Sequence, residues 1–135
     1  MVTLNPYLNF MGQTKPAMEF YTSVFGGTLT VQTYADGGIS KKPEEANLVM
    51  HSMLQTDAFM FMAADGNEEH KVHPGDTVKM SLSGDDEETL FKYFAGLSDG
   101  ATVVQPLVKA PWGDTFGMLI DKFGIHWMVN ISAKK

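Results

Sequence analysis

The 135-residue chain has no cysteine. Disulfides, thiol nucleophiles and cysteine metal sites are thereby excluded, while the compartment stays open. Positive charge is also scarce. Ten Lys and Arg stand against sixteen Asp and Glu, the formal net charge is −6 and the pI is about 5.0. No basic cluster stands out, which argues against nucleic acid or an anionic membrane as partners. Long apolar runs are missing, so no membrane span is expected. The opening "MVTLNPYLNF" lacks the basic segment and apolar stretch of a signal peptide, which makes the cytoplasm the expected location. There is no P-loop and no recognisable Ser–His–acid nucleophile motif.

What remains is an ordinary globular composition, 44% hydrophobic and 19% charged, in a chain of one-domain length. Ten methionines are many for this size. Their flexible, polarizable side chains fill cores and also line adaptable pockets. Residues 3–10 read as a short strand. Residues 13–27 read as a helix with Thr14 as N-cap, Pro16 in the first turn and Gly26-Gly27 as the stop. Its apolar face is Ala17, Phe20, Tyr21 and Val24. Strand 28–34 follows, then a polar, glycine-rich loop (35–47) that is a candidate lid, then a hairpin of strands 48–55 and 58–64. A charged link, "DGNEEHKVHPGD" (65–76), leads to a second set: strand 77–83, helix 85–100 with acids at its positive end, strand 101–110, the turn "PWGD", and a hairpin of 115–121 and 124–132.

The two sets match. A shift of 73 residues carries Ala17 onto Leu90, Phe20 onto Tyr93, Tyr21 onto Phe94, Val24 onto Leu97 and Gly27 onto Gly100. Such periodicity indicates a duplicated β-α-β-β-β unit. The expected class is α+β: two tandem modules, about 1–66 and 74–135, forming curved mixed sheets around a cavity. One helix covers one sheet face, so the other face must be buried by the partner module or line that cavity.

The segments "PYLNF…AMEFYTSVFGG", "VMHSML" and "WGDTFGMLIDKFGIHWMVN" resemble the PhnB-like family of the vicinal-oxygen-chelate superfamily, which includes glyoxalase I, bleomycin-resistance proteins, fosfomycin-resistance transferases and extradiol dioxygenases. The resemblance spans essentially the whole chain and implies paired βαβββ modules, a cavity, and homodimers whose sites often draw on both chains. Metal-dependent relatives hold a divalent ion with His, Gln or Glu from each module's first strand and a Glu from the last strand. Those positions fall here at Pro6 or Tyr7 (the repeat favours Tyr7), at Met80 and at Met128. Thioethers suit soft ions such as Cu(I), not Zn²⁺, Mg²⁺ or Mn²⁺. The resemblance therefore implies the metal-free, bleomycin-resistance mode of binding, with no cofactor. Names attached to the family also invoke a ubiquinone-pathway methyltransferase. The sequence gives that no support: Gly26-Gly27 ends a helix and "DGG" (36–38) enters a polar loop, where a Rossmann-type site wants a strand, a glycine-rich turn and a following helix.

Seven residues are candidates for ligand binding. On the last strand His126, Met128 and Asn130 share one face and Ile125, Trp127, Val129 and Ile131 the other, better suited to a helix. The first is the expected cavity wall, with a half-solvated face as the alternative. His51 is a hydrogen-bonding or proton-transfer candidate, or a structural histidine at a strand or dimer seam, on an undetermined sheet face. Tyr7 and Asn9 share a face and offer polar contacts or structural hydrogen bonds. Trp112, in "PWGDTFG" with Asp114, could stack on a flat ligand or pack for stability. Met80 completes the set. His70, His73, Glu68, Glu69 and Asp76 look like metal ligands but read as a solvated linker. The expected function is metal-free binding of an unidentified small molecule by a homodimer. The alternatives are an enzyme acting on a small oxygenated substrate, metal-dependent or through His51 or His126, and a purely structural dimer or adaptor.

Overall fold

The structure is a computed structural model that describes residues 1–133. It contains two compact units, residues 1–73 and 74–135. In unit 1, β1 (Tyr7–Phe10) leads to α1 (Thr14–Phe25), β2 (Thr28–Thr33), β3 (Val49–Gln55) and β4 (Met60–Asp65). In unit 2, β5 (Met80–Gly84) leads to α2 (Glu87–Leu97), β6 (Thr102–Lys109), β7 (Thr115–Ile120) and β8 (His126–Ile131). The sheet orders are β1-β4-β3-β2 and β5-β8-β7-β6. The first and last strand of each unit pair in parallel, and the remaining pairs are antiparallel. This is the α+β, βαβββ duplication expected from the repeat.

In unit 1, α1 packs on β2, β3 and β4. Its buried stripe is Thr14, Ala17, Met18, Tyr21 and Phe25, rotated from the predicted one: Phe20 and Val24 are only half-buried. The stripe lies on Val49, Leu54, Phe61 and Ala63, all at most 1% exposed. The Tyr21 and Phe61 rings meet edge-on at 5.7 Å, and Phe25 meets Phe59 at 5.3 Å. Fully burying a side chain of this size contributes about 1.5–3 kcal/mol. In unit 2 the equivalent core is Leu90, Phe94 and Leu97 of α2 with Leu119, Trp127, Val129 and Ile131.

Several local expectations are corrected. β1 begins at Tyr7 rather than at residue 3, and β5 at Met80 rather than 77. Thr14 does not cap α1. The cap position is Gln13, which makes no side-chain cap bond, and the Thr14 hydroxyl donates to Asp65 instead, at 2.7 Å. Asp65, assigned from sequence to the charged link, is the last residue of β4 and is 7% exposed. Its Oδ1 also accepts from the Gly12 and Thr14 amides, at 2.8 and 3.1 Å, and its Oδ2 from Val49 at 2.9 Å. The positive end of α1 thus meets a carboxylate from within the fold. α2 is capped locally: Asp86 accepts from the Thr89 amide at 3.1 Å. The 35–47 loop is folded on itself, through Ala35–Ala46, Gly38–Ala35 and Ile39–Tyr34 backbone bonds and a short 3-10 turn at Pro43–Glu45.

The turn after α1 admits no side chain. Gly27 has φ +94°, and a Cβ there would collide with the Gln55 carbonyl at the end of β3. Gly27→Ala is expected to destabilise the protein by about 2–3 kcal/mol, from the left-handed backbone together with the overlap. Urea unfolding measures it. The same change at Gly26, whose Cβ would meet nothing within 4 Å, should cost only the backbone part, about 1–3 kcal/mol, because φ +74°, ψ −161° is a conformation essentially reserved for glycine.

Candidate functional site

Strand alternation places half of each strand's side chains away from the helix, and the two uncovered faces, one in each unit, carry most of the candidates. In unit 1 the register runs Tyr7–Met62 and Asn9–Ala64 between β1 and β4, then Met53–Met62 between β4 and β3. β3 carries an irregularity where Gln32 pairs with His51 and Thr33 with Val49. The extra residue turns Val49 into the core while His51 stays with Met53 on the uncovered face, which settles the side of the sheet that His51 occupies. The Tyr7 hydroxyl and His51 Nδ1 lie 3.2 Å apart, within hydrogen-bond reach, and the two rings are tilted at 6.0 Å between centroids. Burial raises the Tyr7 phenol above its ordinary value, because the tyrosinate loses solvation there. Asn9 lies on the same face and donates weakly to the Tyr7 carbonyl, at 3.5 Å.

In unit 2, β7 and β8 pair Phe116 with Asn130, Met118 with Met128 and Ile120 with His126. These six side chains share the uncovered face, opposite Gly117, whose added Cβ would meet Phe94 of α2. Trp112 is 62% exposed and touches Phe116 edge-on at 5.5 Å. It therefore presents its ring to solvent rather than to the core. Asp114 fixes the turn behind it, accepting from Asn130 Nδ2 and the Ala133 amide, both at 3.0 Å. These bonds, Asn130 first, lower the Asp114 carboxyl below its ordinary value. A depressed folded-state value means stability that is present above the unfolded value and lost as pH falls through the folded one. In urea unfolding from pH 5 downward, the advantage of the wild type over Asp114→Asn should shrink below about pH 4.

Met80 does not join this group. Its partner is Trp127, and the partner of Met128 is Ser81. Met80 thus lies on the helix-covered side, half-buried, and the face of Met128 carries Ser81 and Ser83 from β5. The linker residues stay dispersed: His70 and His73 are exposed, Glu69 pairs with Lys41 and Glu68 with Lys71. Among the described residues no three His, Asp or Glu side chains are grouped to hold a metal, and no helix is long and apolar enough to cross a membrane.

The donor set does not fit the divalent ion that the fold suggests. The three positions hold a phenol paired to an imidazole and two thioethers on opposite sides of their sheet. Hard and borderline cations want carboxylate or several imidazoles.

A doubled βαβββ unit with one helix per sheet is the glyoxalase/bleomycin-resistance/dioxygenase fold. A glyoxalase/bleomycin resistance protein/dioxygenase family enzyme from Burkholderia phytofirmans superposes with a TM-score of 0.59 at 18% identity, over 93% of this chain and 95% of that one. A family model described as 3-demethylubiquinone-9 3-methyltransferase matches residues 3–130, and the chain belongs to this PhnB-like family. Protein PA1353 from Pseudomonas aeruginosa is 30% identical, covering 99% of this chain and 100% of its own, with a TM-score of 0.83. A PhnB protein from Bacillus cereus is 24% identical over 97% and 100% of the two chains, with a TM-score of 0.75.

Sequence reasoning missed Met53, Met62, Phe116 and Met118 as members of the uncovered faces. The signal was available for Phe116 and Met118: they alternate with Gly117 and Leu119 just as Met128 alternates with Val129. For Met53 and Met62 it was hidden by the irregularity in β3 and by apolar residues on both faces.

Proposed function

We propose that the protein binds a small molecule against one of these uncovered faces without a divalent metal, and that it acts as a homodimer. The observation that supports the reading is the chemistry at the three positions where metal-dependent relatives carry ligands, Tyr7, Met80 and Met128. Apolar, adaptable methionines on either face suit the body of an organic ligand; in unit 1 the Tyr7–His51 pair adds a polar contact, and in unit 2 the exposed Trp112 adds a ring to stack on. The chain contains no arginine, so the bidentate capture of a carboxylate or phosphate that guanidinium provides is not on offer.

Incubation with Zn²⁺, Ni²⁺ and Mn²⁺, desalting and elemental analysis test the metal. Well below one equivalent per chain is expected, and stoichiometric retention that disappears in Tyr7→Phe or Met128→Leu overturns the reading. A thermal-shift screen of antibiotics and metabolites tests binding; a hit should weaken in His51→Ala where it sits on the face of unit 1, or in Trp112→Ala where it sits on that of unit 2, and a hit weakened by neither counts against these faces. Light scattering tests assembly: a mass near the 14.9 kDa chain rather than about twice it counts against the dimer. A second reading, proton transfer on a small oxygenated substrate, has the Tyr7–His51 hydrogen bond as its support. Turnover that survives both His51→Ala and Tyr7→Phe would sink it.

A further inference from the structure

The side chains that disqualify a hard metal form a different set when read for softness. On the uncovered face of unit 1, Met53 lies directly opposite Met62, and His51 stands two residues from Met53 on the same strand and face. Directly opposed residues on neighbouring strands have Cβ atoms about 4.5–5.5 Å apart. Three flexible bonds let two thioethers so placed converge on one point above the sheet. Both methionines are half-buried, which leaves an entry path. The imidazole is already oriented. His51 Nδ1 is tied to the Tyr7 hydroxyl at 3.2 Å, and Tyr7 is itself the cross-strand neighbour of Met62. In the tautomer that carries its proton on Nδ1, that N–H donates to the tyrosine oxygen and Nε2 keeps its lone pair. This is how metal-binding histidines are commonly held, one nitrogen anchored and the other presented.

We propose that Met53, Met62 and His51 Nε2 form a site for a soft monovalent cation, Cu(I), with Tyr7 as the positioning residue. Two thioethers and one neutral imidazole match the soft-ligand preference of Cu(I) and give Zn²⁺ and Mg²⁺ little. The site needs no carboxylate, because a single positive charge on a chain of net charge −6 requires little local neutralisation. Unit 2 repeats the pair, Met118 opposite Met128 with His126 on the same face. There, among the described residues, no phenol anchors the ring, so unit 1 is the tighter site.

The experiment uses the full chain under anaerobic reducing conditions, with Cu(I) delivered from a bicinchoninate indicator complex. The wild type should withdraw one equivalent. Met53→Leu/Met62→Leu should lose at least tenfold in affinity, while Met118→Leu/Met128→Leu retains it. Tyr7→Phe should weaken binding by less than the double leucine variant does. Failure to withdraw Cu(I), or a double leucine variant that binds as the wild type does, overturns the site. Leucine for methionine is a volume-conserving change that the fold should tolerate. A second readout avoids variants altogether: titration of the wild type with redox-inert Ag(I), followed by methionine methyl and histidine ring resonances. Shifts at Met53, Met62 and His51 are expected, and shifts confined to the exposed His70 and His73 count against the proposal. The small-molecule reading is independent, since its thermal-shift test is run without copper or silver.

Discussion

Asp65→Ala should unfold much of the protein's stability margin, by about 3–5 kcal/mol. The carboxylate is the knot of unit 1. One oxygen takes the Gly12 and Thr14 amides and the Thr14 hydroxyl, and the other takes Val49. Thr14 is fully buried and Val49 is 1% exposed, so water cannot replace the lost acceptor without opening the core. Each buried donor left without a partner costs about 1–3 kcal/mol, although relaxation keeps the total below the plain sum. Asp65→Asn separates the acceptor role from the side chain's shape. The amide oxygen can still serve three donors, but its NH₂ then faces the Val49 amide, donor against donor. A smaller loss of about 1–3 kcal/mol is expected. Urea midpoints with an unchanged slope would report both. If Asp65→Ala were as stable as the wild type, the four short contacts would be incidental to the fold. The expected loss also bears on the candidate site, since Asp65 joins the end of β4 to the start of β3, the two strands that carry Met62 and His51.

How far the sequence could be read depended on whether a feature was local. The duplication was legible because each helix has its own apolar stripe and glycine stop, and because the hairpins alternate regularly. The division of β8 into a core face of Trp127, Val129 and Ile131 and an open face of His126, Met128 and Asn130 needed only period-2 reasoning, and the burial pattern follows it. The Tyr7–His51 contact was not legible, because it depends on β4 lying between β1 and β3, a parallel closure that no local pattern encodes. The face of Met80 was lost to register. A 73-residue repeat sends Tyr7 to Met80, yet Tyr7 pairs with Met62 whereas the methionine equivalent to Met62, Met128, pairs with Ser81. A one-residue offset transfers every side chain to the other side of the sheet. The Asp65 knot escaped for a similar reason. An aspartate followed by Gly-Asn-Glu-Glu has the composition of a solvated loop, and only the return of β4 beside β1 brings it under the helix.

Trp127→Ala should cost about 3–5 kcal/mol, the range for removing a large aromatic side chain from a packed interior. Trp127 is 2% exposed and is among the largest fully buried side chains of the protein. Two contributions combine. One is the cavity left in the layer where α2, with its buried Leu90, Phe94 and Leu97, packs on β8. The other is the indole N–H, which donates to Asp121 Oδ2 at 2.8 Å. Asp121 is the counterpart in unit 2 of the Asp65 knot, though built at a different place in the repeat. It is 4% exposed, and its Oδ1 accepts from the Phe123 and Ile125 amides at 2.8 and 3.1 Å, shaping the turn that joins β7 to β8. Trp127→Phe keeps most of the apolar volume and removes the donor with the smaller ring that carries it. It should cost about 1.5–3 kcal/mol, the range for a hydrogen bond to a charged group. The pair of variants therefore separates packing from charge. If Trp127→Phe proved as damaging as Trp127→Ala, the hydrogen bond to Asp121 would dominate; if it were neutral, the bond would be dispensable and packing alone would hold the strand. Because Trp127 and Met128 are consecutive and point to opposite sides, loosening this strand should also blur the face that carries His126, Met128 and Asn130. A ligand found in the thermal-shift screen that contacts this face should bind Trp127→Ala more weakly than the wild type even at temperatures where the variant remains folded.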